Sequence, residues 1–380
     1  MAEETVARSE PIDADKTLNE IKTAEGWRVE IVKDDRSISR LWIIDRQMRI
    51  GSCPVYTGGI AGVGTDEEYR NQGLSRRVMQ ASLALMQRES YDASILFGIQ
   101  NFYHKFGFAT CMPERRLYLR TRDAERAQKH LRIRAVRPAD LAAIKRIYNR
   151  DNAARTASVV RDRTWKPFAM GSFFGIEARI QVVLDDKDRV VGYVAYDEVR
   201  RHCRAAEVGG RSDEVFSTIL HYMARRAVDL RKEQLSFSLP VDHPFARFCR
   251  QYGCRDSTHF DRNAGPMGRL IAVDSFLVKI LPVLAERWGT ADRALGLGFK
   301  TAIGSCAIGW HRERLQRLDT SHGALSVRVD QDALIQLAMG YLAAGDLKAQ
   351  DKLRASSGAL ALLEQLFPQQ TAHMWWADRI

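Results

Sequence analysis

The sequence lacks several marks that would place it in a familiar class. Its first twenty residues, MAEETVARSEPIDADKTLNE, hold no basic start followed by an apolar run, so a secretory leader is not expected. No stretch approaches the roughly 18 uninterrupted apolar residues of a membrane-spanning helix. The six cysteines, Cys53, Cys111, Cys203, Cys249, Cys254 and Cys306, are scattered, and the nearest pair, Cys249 and Cys254, lacks the CxxC spacing of a zinc or redox site. No metal is expected, and free thiols in a reducing cytoplasm are the reading that fits. The arginines are dispersed, with no aromatic interleaving and no helix-turn-helix or RNA-binding signature, which argues against a nucleic-acid partner.

What is present fits a soluble multidomain chain. A length of 380 residues, 45% hydrophobic and 28% charged, is enough for two or three cores. A net charge of +11 suits a phosphate-rich cofactor, a nucleic acid or an anionic membrane, and does not choose among them.

Hydrophobic periodicity divides the chain. Residues 1–26 are polar and acidic and read as a mobile tail. From Trp27, the runs WRVEIV, ISRLWIIDRQMRIG and YTGGIAGVGT alternate as strands. Leu74, Val78, Leu83 and Met86 then form a helical stripe, and ASILFGI a further strand. A second unit begins near LRIRAVRPADLAAIKRIYNR, with RPAD as a helix start, and a third begins after DRNAGPMGRL. The expected boundaries are 27–125, 126–265 and 266–380, in an α/β to α+β fold. A faint internal repeat supports two related units: NFYHKFGFA and RFCRQYGCR each follow a strand, aligning Phe102 with Phe248, Phe106 with Tyr252 and Gly107 with Gly253.

The stretch TDEEYRNQGLSRR carries the clearest chemistry. A strand that runs through a glycine turn into a helix leaves backbone N–H groups unpaired at the helix start, where the helix dipole favours an anion. Gly73 permits close approach, and Arg70, Arg76 and Arg77 offer charge-assisted bonds to phosphate. Taken alone, the pattern is also that of an ordinary helix start with a solvated basic face.

Context removes the ambiguity. Arg70-Asn71-Gln72-Gly73-Leu74-Ser75 resembles the acetyl-CoA loop of the GNAT N-acetyltransferase superfamily, Q/R-x-x-G-x-G/A, with Ser at its last position, and ILFGI followed by NFYHKFGF resembles the superfamily's later motif. The three-part layout resembles the Eis-like ("enhanced intracellular survival") N-acetyltransferases over nearly the whole chain. That resemblance implies tandem GNAT folds, the second degenerate, followed by a sterol-carrier-protein-like α+β domain whose C-terminal tail enters the active site, and a homohexamer. It implies acetyl-CoA as co-substrate. Val63, Gly64 and Thr65 would hold the acetyl and pantetheine end, Arg70, Asn71, Gln72, Gly73, Leu74, Ser75 and Arg76 the pyrophosphate, and Gly98 and Ile99 the far side of the arm. Asn101 is a weaker candidate there.

The same resemblance implies Tyr103 as general acid and the α-carboxylate of Ile380 as general base, although this chain ends in isoleucine where the family usually ends in an aromatic residue. A primary amine must shed a proton as it attacks a thioester, and the departing thiolate must gain one, so an acceptor and a donor are both needed. His104, beside Tyr103 on a short helix, points elsewhere and reads as packing or surface. In the second unit Cys249 stands where Tyr103 does, and VGGRSDEVF has an acidic pair where phosphate would lie, so that unit should bind no acetyl-CoA. Only about 26 residues precede Trp27, fewer than a strand and two pocket-lining helices need; a shortened N-terminus or an open amine pocket is expected.

The function this supports is acetyl-CoA-dependent transfer to a primary amine, an aminoglycoside, polyamine or lysine-type acceptor. The alternative is a non-enzymatic lipid or apolar-ligand binder using the sterol-carrier-like domain.

Overall fold

In a computed structural model of the chain, the described residues are 4–162, 165, 178–197, 203–289, 293–319 and 323–379. They fall into two compact units, one of residues up to Met112 with Asp261–Gln370, the other of Pro113–Phe260 with Thr371–Arg379.

The first unit opens on an antiparallel meander: β1 (Thr5–Asp13), β2 (Lys16–Thr23), β3 (Gly26–Lys33), β4 (Arg36–Ile50) and β5 (Cys53–Thr65). Helix α1 (Leu74–Arg88) follows, then β6 (Ala93–Gly98), parallel to β5, and β7 (Ala109–Thr110). Leu74, Val78, Met79, Leu85 and Met86 recur at helical spacing and are buried against Val29, Ile31, Leu41 and Ile43 of the sheet.

Here the reading of residues 1–26 as a mobile tail is corrected. Thr5–Asp13 and Lys16–Thr23 are strands, paired from Thr5↔Lys22 to Asp13↔Lys16, and β2 in turn pairs with β3. β1 is an edge strand with mostly exposed side chains, so it is held by backbone pairing and leaves little hydrophobic signature. β2 is nearly as polar, yet buries Leu18 and Ile21 and places the Glu20 carboxylate 2.5 Å from the Arg88 guanidinium. The residues ahead of Trp27, too few for a strand and two helices, form two strands instead of a tail.

The second unit contains β8 (Glu114–Arg120), α2 (Thr121–Ala124), β9 (Arg132–Ala135), α3 (Leu141–Asp151), β10 (Ala178–Leu184), β11 (Val190–Asp197), β12 (Arg204–Gly209), α4 (Asp213–Asp229), β13 (Gln234–Phe237), α5 (Pro244–Cys249) and β14 (Cys254–His259). The sheet order is β14-β8-β13-β12-β11-β10-β9, with β12 and β13 parallel and α4 between them. The β12–α4–β13 arrangement repeats β5–α1–β6. Gly107 and Gly253 close the turns that follow, at φ +76° and +75°, a conformation that glycine adopts without a Cβ clash.

The chain then returns to the first unit. β15 (Gly265–Leu270) pairs with both β6 and β7. Two strands therefore depart from the expected boundaries: β8, expected to close the first unit, is in the second sheet between β13 and β14, and β15, expected near the start of the third unit, completes the first sheet. The rest comprises α6 (Val273–Lys279), α7 (Leu281–Trp288), β16 (Gly296–Thr301), β17 (Gly304–His311), β18 (Arg314–Leu318), β19 (Leu325–Val329), α8 (Gln331–Ala338), α9 (Ala344–Ala349), β20 (Leu353–Ala355) and α10 (Ser357–Leu366), around a five-stranded sheet. Within this unit it is tied to the first sheet through fully buried Asp92, whose carboxylate accepts from Tyr56 N (2.7 Å), Ser275 Oγ (2.6 Å) and Lys279 Nζ (2.6 Å).

Candidate active site

The first sheet opens where its two parallel strands part. β5 and β6 pair only as far as Gly59↔Ile95. Beyond that, the register of β5 against β4 jumps from Trp42↔Ala61 to Arg40↔Gly64, a bulge at Gly62 and Val63 that turns the strand end aside. Gly62 has φ +58°, and a Cβ there would lie 2.6 Å from the Trp42 ring. Gly62→Ala is expected to destabilise the first unit by about 1–3 kcal/mol through this strain and clash, measured as a lower urea midpoint. An unchanged midpoint would show that Trp42 moves aside at little cost.

The parted strands bound a cleft of about 570 Å³. Val63, Gly64 and Thr65 line one side, Ile99 and Tyr103 the other, and Arg70, Asn71, Gly73, Leu74, Ser75 and Arg76 the loop and helix start. Two predicted residues do not line it. Gln72 is exposed on the turn, and Gly98 lies beneath Tyr103, where a Cβ would come within 2.7 Å of the ring. Two lining residues were missed, Tyr69 and Phe102; the aromatic run around NFYHKFGF was the available signal for Phe102. Asn101 is exposed, and its carboxamide oxygen accepts from Asn263 at 3.3 Å. His104 is exposed.

The start of α1 is electrostatically unusual. Gly73 is its N-cap at φ +76°, no side chain caps it, and no acidic residue lies in its first turn. Helix starts ordinarily carry a capping Ser, Thr, Asp or Asn and favour acidic neighbours. Here unpaired N–H groups and Arg76 face the cleft instead. Arg77 does not join them; it turns to β1, bonding Ile12 O at 3.4 Å with Asp13 at 3.8 Å. Ser75 ties the helix to β5, its hydroxyl 2.8 Å from Thr65 Oγ1, which is 2.8 Å from Ser39 Oγ. The corresponding start of α4 is the opposite case: Ser212 accepts from Val215 N, and Asp213 and Glu214 fill the first turn. That helix supplies its own cap and negative charge.

Tyr103 sits on a single 3₁₀ turn, Tyr103–Phe106, 9% exposed, edge-on to Phe102 at 4.9 Å and to Phe108 at 6.4 Å between ring centroids. Burial raises its hydroxyl above the ordinary tyrosine value, because the phenolate would be poorly solvated there. The phenol therefore stays protonated at neutral and mildly alkaline pH. Its counterpart Cys249 is fully buried, and burial pushes its thiol far above the ordinary range, which removes it as a nucleophile.

The aromatic tail belongs to the second unit up to Arg379. Trp375 is 1% exposed and donates from its indole to Asn152 Oδ1 at 2.8 Å. Asp378 enters a fully buried polar cluster: Arg161 reaches it at 3.0 Å and Glu207 at 2.7 Å, Tyr148 donates to Asp378 at 2.7 Å, and Tyr193 to Glu207 at 2.5 Å. Burial, and then the neighbouring carboxylates, push both tyrosine hydroxyls well above their ordinary value, so they remain donors. Arg379 forms a two-pronged pair with Glu114 at 2.8 and 3.0 Å. Ile380 lies outside the described residues.

The cleft between parting parallel strands, closed by an uncapped helix start and a buried tyrosine, lies in a part of the chain that matches a known domain. Residues 5–111 match the acetyltransferase (GNAT) domain and residues 304–375 the sterol carrier protein domain, so the chain carries both and is an acetyltransferase of this fold. The first match begins within β1, well ahead of the expected boundary at residue 27. No curated protein matches the chain in sequence. Among solved structures, a conserved protein of unknown function from Enterococcus faecalis V583, described as a probable N-acyltransferase, is similar with TM-score 0.75 and 15% identity over 93% of this chain and 88% of its own. A GCN5-related N-acetyltransferase from Anabaena variabilis gives 0.73 and 17% over 93% and 89%. Eis1 from Mycobacterium abscessus gives 0.60 and 16% over 92% and 90%. At these identities the likeness establishes the fold. Among the described residues no helix is long and apolar enough to cross a membrane, and no group of His, Cys, Asp and Glu could hold a metal ion.

Proposed function

We propose that the chain transfers the acetyl group of acetyl-CoA to a primary amine, of the aminoglycoside, polyamine or lysine type, by direct attack in a ternary complex. The observation that carries this reading is the start of α1: an uncapped, acid-free helix N-terminus with Arg76 beside it, opening into the same cleft as Tyr103. Free N–H groups and a guanidinium suit a pyrophosphate. The edge of Val63, Gly64 and Thr65 that β6 leaves unpaired suits the amide groups of a pantetheine arm.

In this proposal the amine attacks the thioester carbonyl, its proton passes to the carboxylate of Ile380, and the Tyr103 hydroxyl gives its proton to the departing thiolate. Burial keeps the Tyr103 hydroxyl protonated at neutral pH, so it has a proton to give. The six cysteines, none in a disulfide, support a reducing cytoplasm as its location, and the family resemblance suggests a homohexamer, which light scattering would test. A mass screen of amines incubated with acetyl-CoA tests the activity itself. One acceptor class should gain an acetyl group in place of a hydrogen, and no acetylated product from any amine would overturn the reading.

Tyr103→Phe is expected to lower kcat by roughly 100-fold or more with little change in KM for acetyl-CoA, since only the proton is removed. A one-residue extension after Ile380 is expected to lower kcat as well. The alkaline limb of the wild-type rate profile should lie above pH ~10, because a raised Tyr103 keeps its proton past the usual tyrosine value. Full turnover in both variants would rule out the acid and base assignments.

A further inference from the structure

We propose that the second unit carries a pocket for a small anionic molecule, bearing phosphate or carboxylate, on the face of its sheet opposite α4. The alternation of its strands defines that face. Leu117 and Leu119 of β8, Ala205 of β12, and Leu235 and Phe237 of β13 enter the core with α4. Arg116 and Tyr118, Arg204, and Gln234 and Ser236 therefore lie on the other side. Register sets Tyr118 opposite Ser236, and Ser236 opposite Arg204, in one row across three strands. With Lys232, just before β13, these side chains line a cavity of about 290 Å³.

The lining is rich in donors and short of negative charge. Arg116, Arg204 and Lys232 bring three cations, and the Tyr118 and Ser236 hydroxyls and the Gln234 amide add neutral donors. Two neighbouring carboxylates are already engaged: Asp197 is 3.7 Å from Arg204, and Glu114 is bound by Arg379. Among the described residues no ion pair holds Arg116 or Lys232. Burial, and next the charge of Arg116, depress the Arg204 guanidinium, and burial and the charges of Arg116 and Arg204 act likewise on Arg379. Like charges are thus held together in a half-desolvated recess, an arrangement that a bound anion relieves and that guanidiniums read with two-pronged geometry. The start of α1 is on a different sheet, and nothing in its role requires this cluster.

Trp376 gives the pocket an internal reporter, its ring 5.4 Å from the Arg204 guanidinium and 4.3 Å from that of Arg379. The test uses the full chain with inorganic phosphate in one arm and succinate in the other, at ionic strength fixed with chloride, followed by calorimetry and tryptophan fluorescence. A saturable fluorescence change is expected, lost in Trp376→Phe. Lys232→Gln is expected to weaken the anion by roughly 3- to 10-fold, and Arg116→Gln with Arg204→Gln to abolish its binding at this pocket, while acetyl-CoA affinity is unchanged. Response to phosphate alone identifies a phosphoryl ligand, to succinate alone a carboxylate. No saturable binding of either anion beyond the chloride control overturns the proposal, as does binding that Lys232→Gln leaves intact, which would place the anion at the start of α1. Should the double arginine variant fail to fold, Lys232→Gln, a half-exposed rim position, decides the matter.

Discussion

Gly73→Glu is expected to weaken acetyl-CoA binding by roughly 100-fold or more, equivalent to about 2.8 kcal/mol. Two effects act together. A non-glycine residue at φ +76° carries a backbone cost of about 1–3 kcal/mol, and the new carboxylate stands at the helix start where the free N–H groups await an anion. A Cβ at Gly73 would meet nothing within 4 Å, so the effect does not come from crowding in the unliganded protein. Gly73→Asn separates the two causes: asparagine tolerates the left-handed conformation and adds no charge, and should lose less than about tenfold. Calorimetric titration with acetyl-CoA, with a melting curve as folding control, reads both variants. Undiminished binding in a folded Gly73→Glu protein would show that the pyrophosphate lies elsewhere.

The second large effect concerns stability. Asp378→Ala is expected to destabilise the second unit by about 3–5 kcal/mol, the usual consequence of removing one partner from a buried ion pair. Arg161 has no exposed side-chain surface, and the loss leaves its charge balanced by Glu207 alone. Arg161→Met should cost at least as much, because two fully buried carboxylates, Glu207 and Asp378, then face each other without a cation. Urea midpoints report the loss, and hydrogen exchange should show Thr371–Arg379 losing protection in Asp378→Ala. A change below about 1 kcal/mol would mean that burial of Trp375, not the ion cluster, holds the tail.

Much of the candidate cleft was legible in the sequence because its requirements are local. A strand end, a glycine turn with its helix start, and a strand followed by an aromatic-glycine segment each lie within one short window, and eleven of the residues selected from those windows line one cavity. The second copy was legible through the same windows, and its acidic pair does fall in the first turn of α4. What escaped is equally physical. β1 is a polar edge strand and β2, between β1 and β3, is nearly as polar, so the hydrophobic pattern that flags a strand is weak in both. Gly98 looked like a ligand contact, yet its position under the Tyr103 ring is a packing relation that no spacing rule reveals.

By itself, the sequence determined the local chemistry of this protein: the positive-φ turn at Gly73, the basic uncapped helix start, the tyrosine after β6, and an acid-capped second copy. Local conformational preference and charge suffice for these. Only the tertiary structure decided which strands share a sheet, placing β8 with β13 and β14 and β15 with β6 and β7. Only it made Asp378 a buried partner of Arg161, 217 residues away. Both are long-range pairings, in which a backbone edge or a buried charge finds its complement through space, and a short window of sequence holds just one of the two partners.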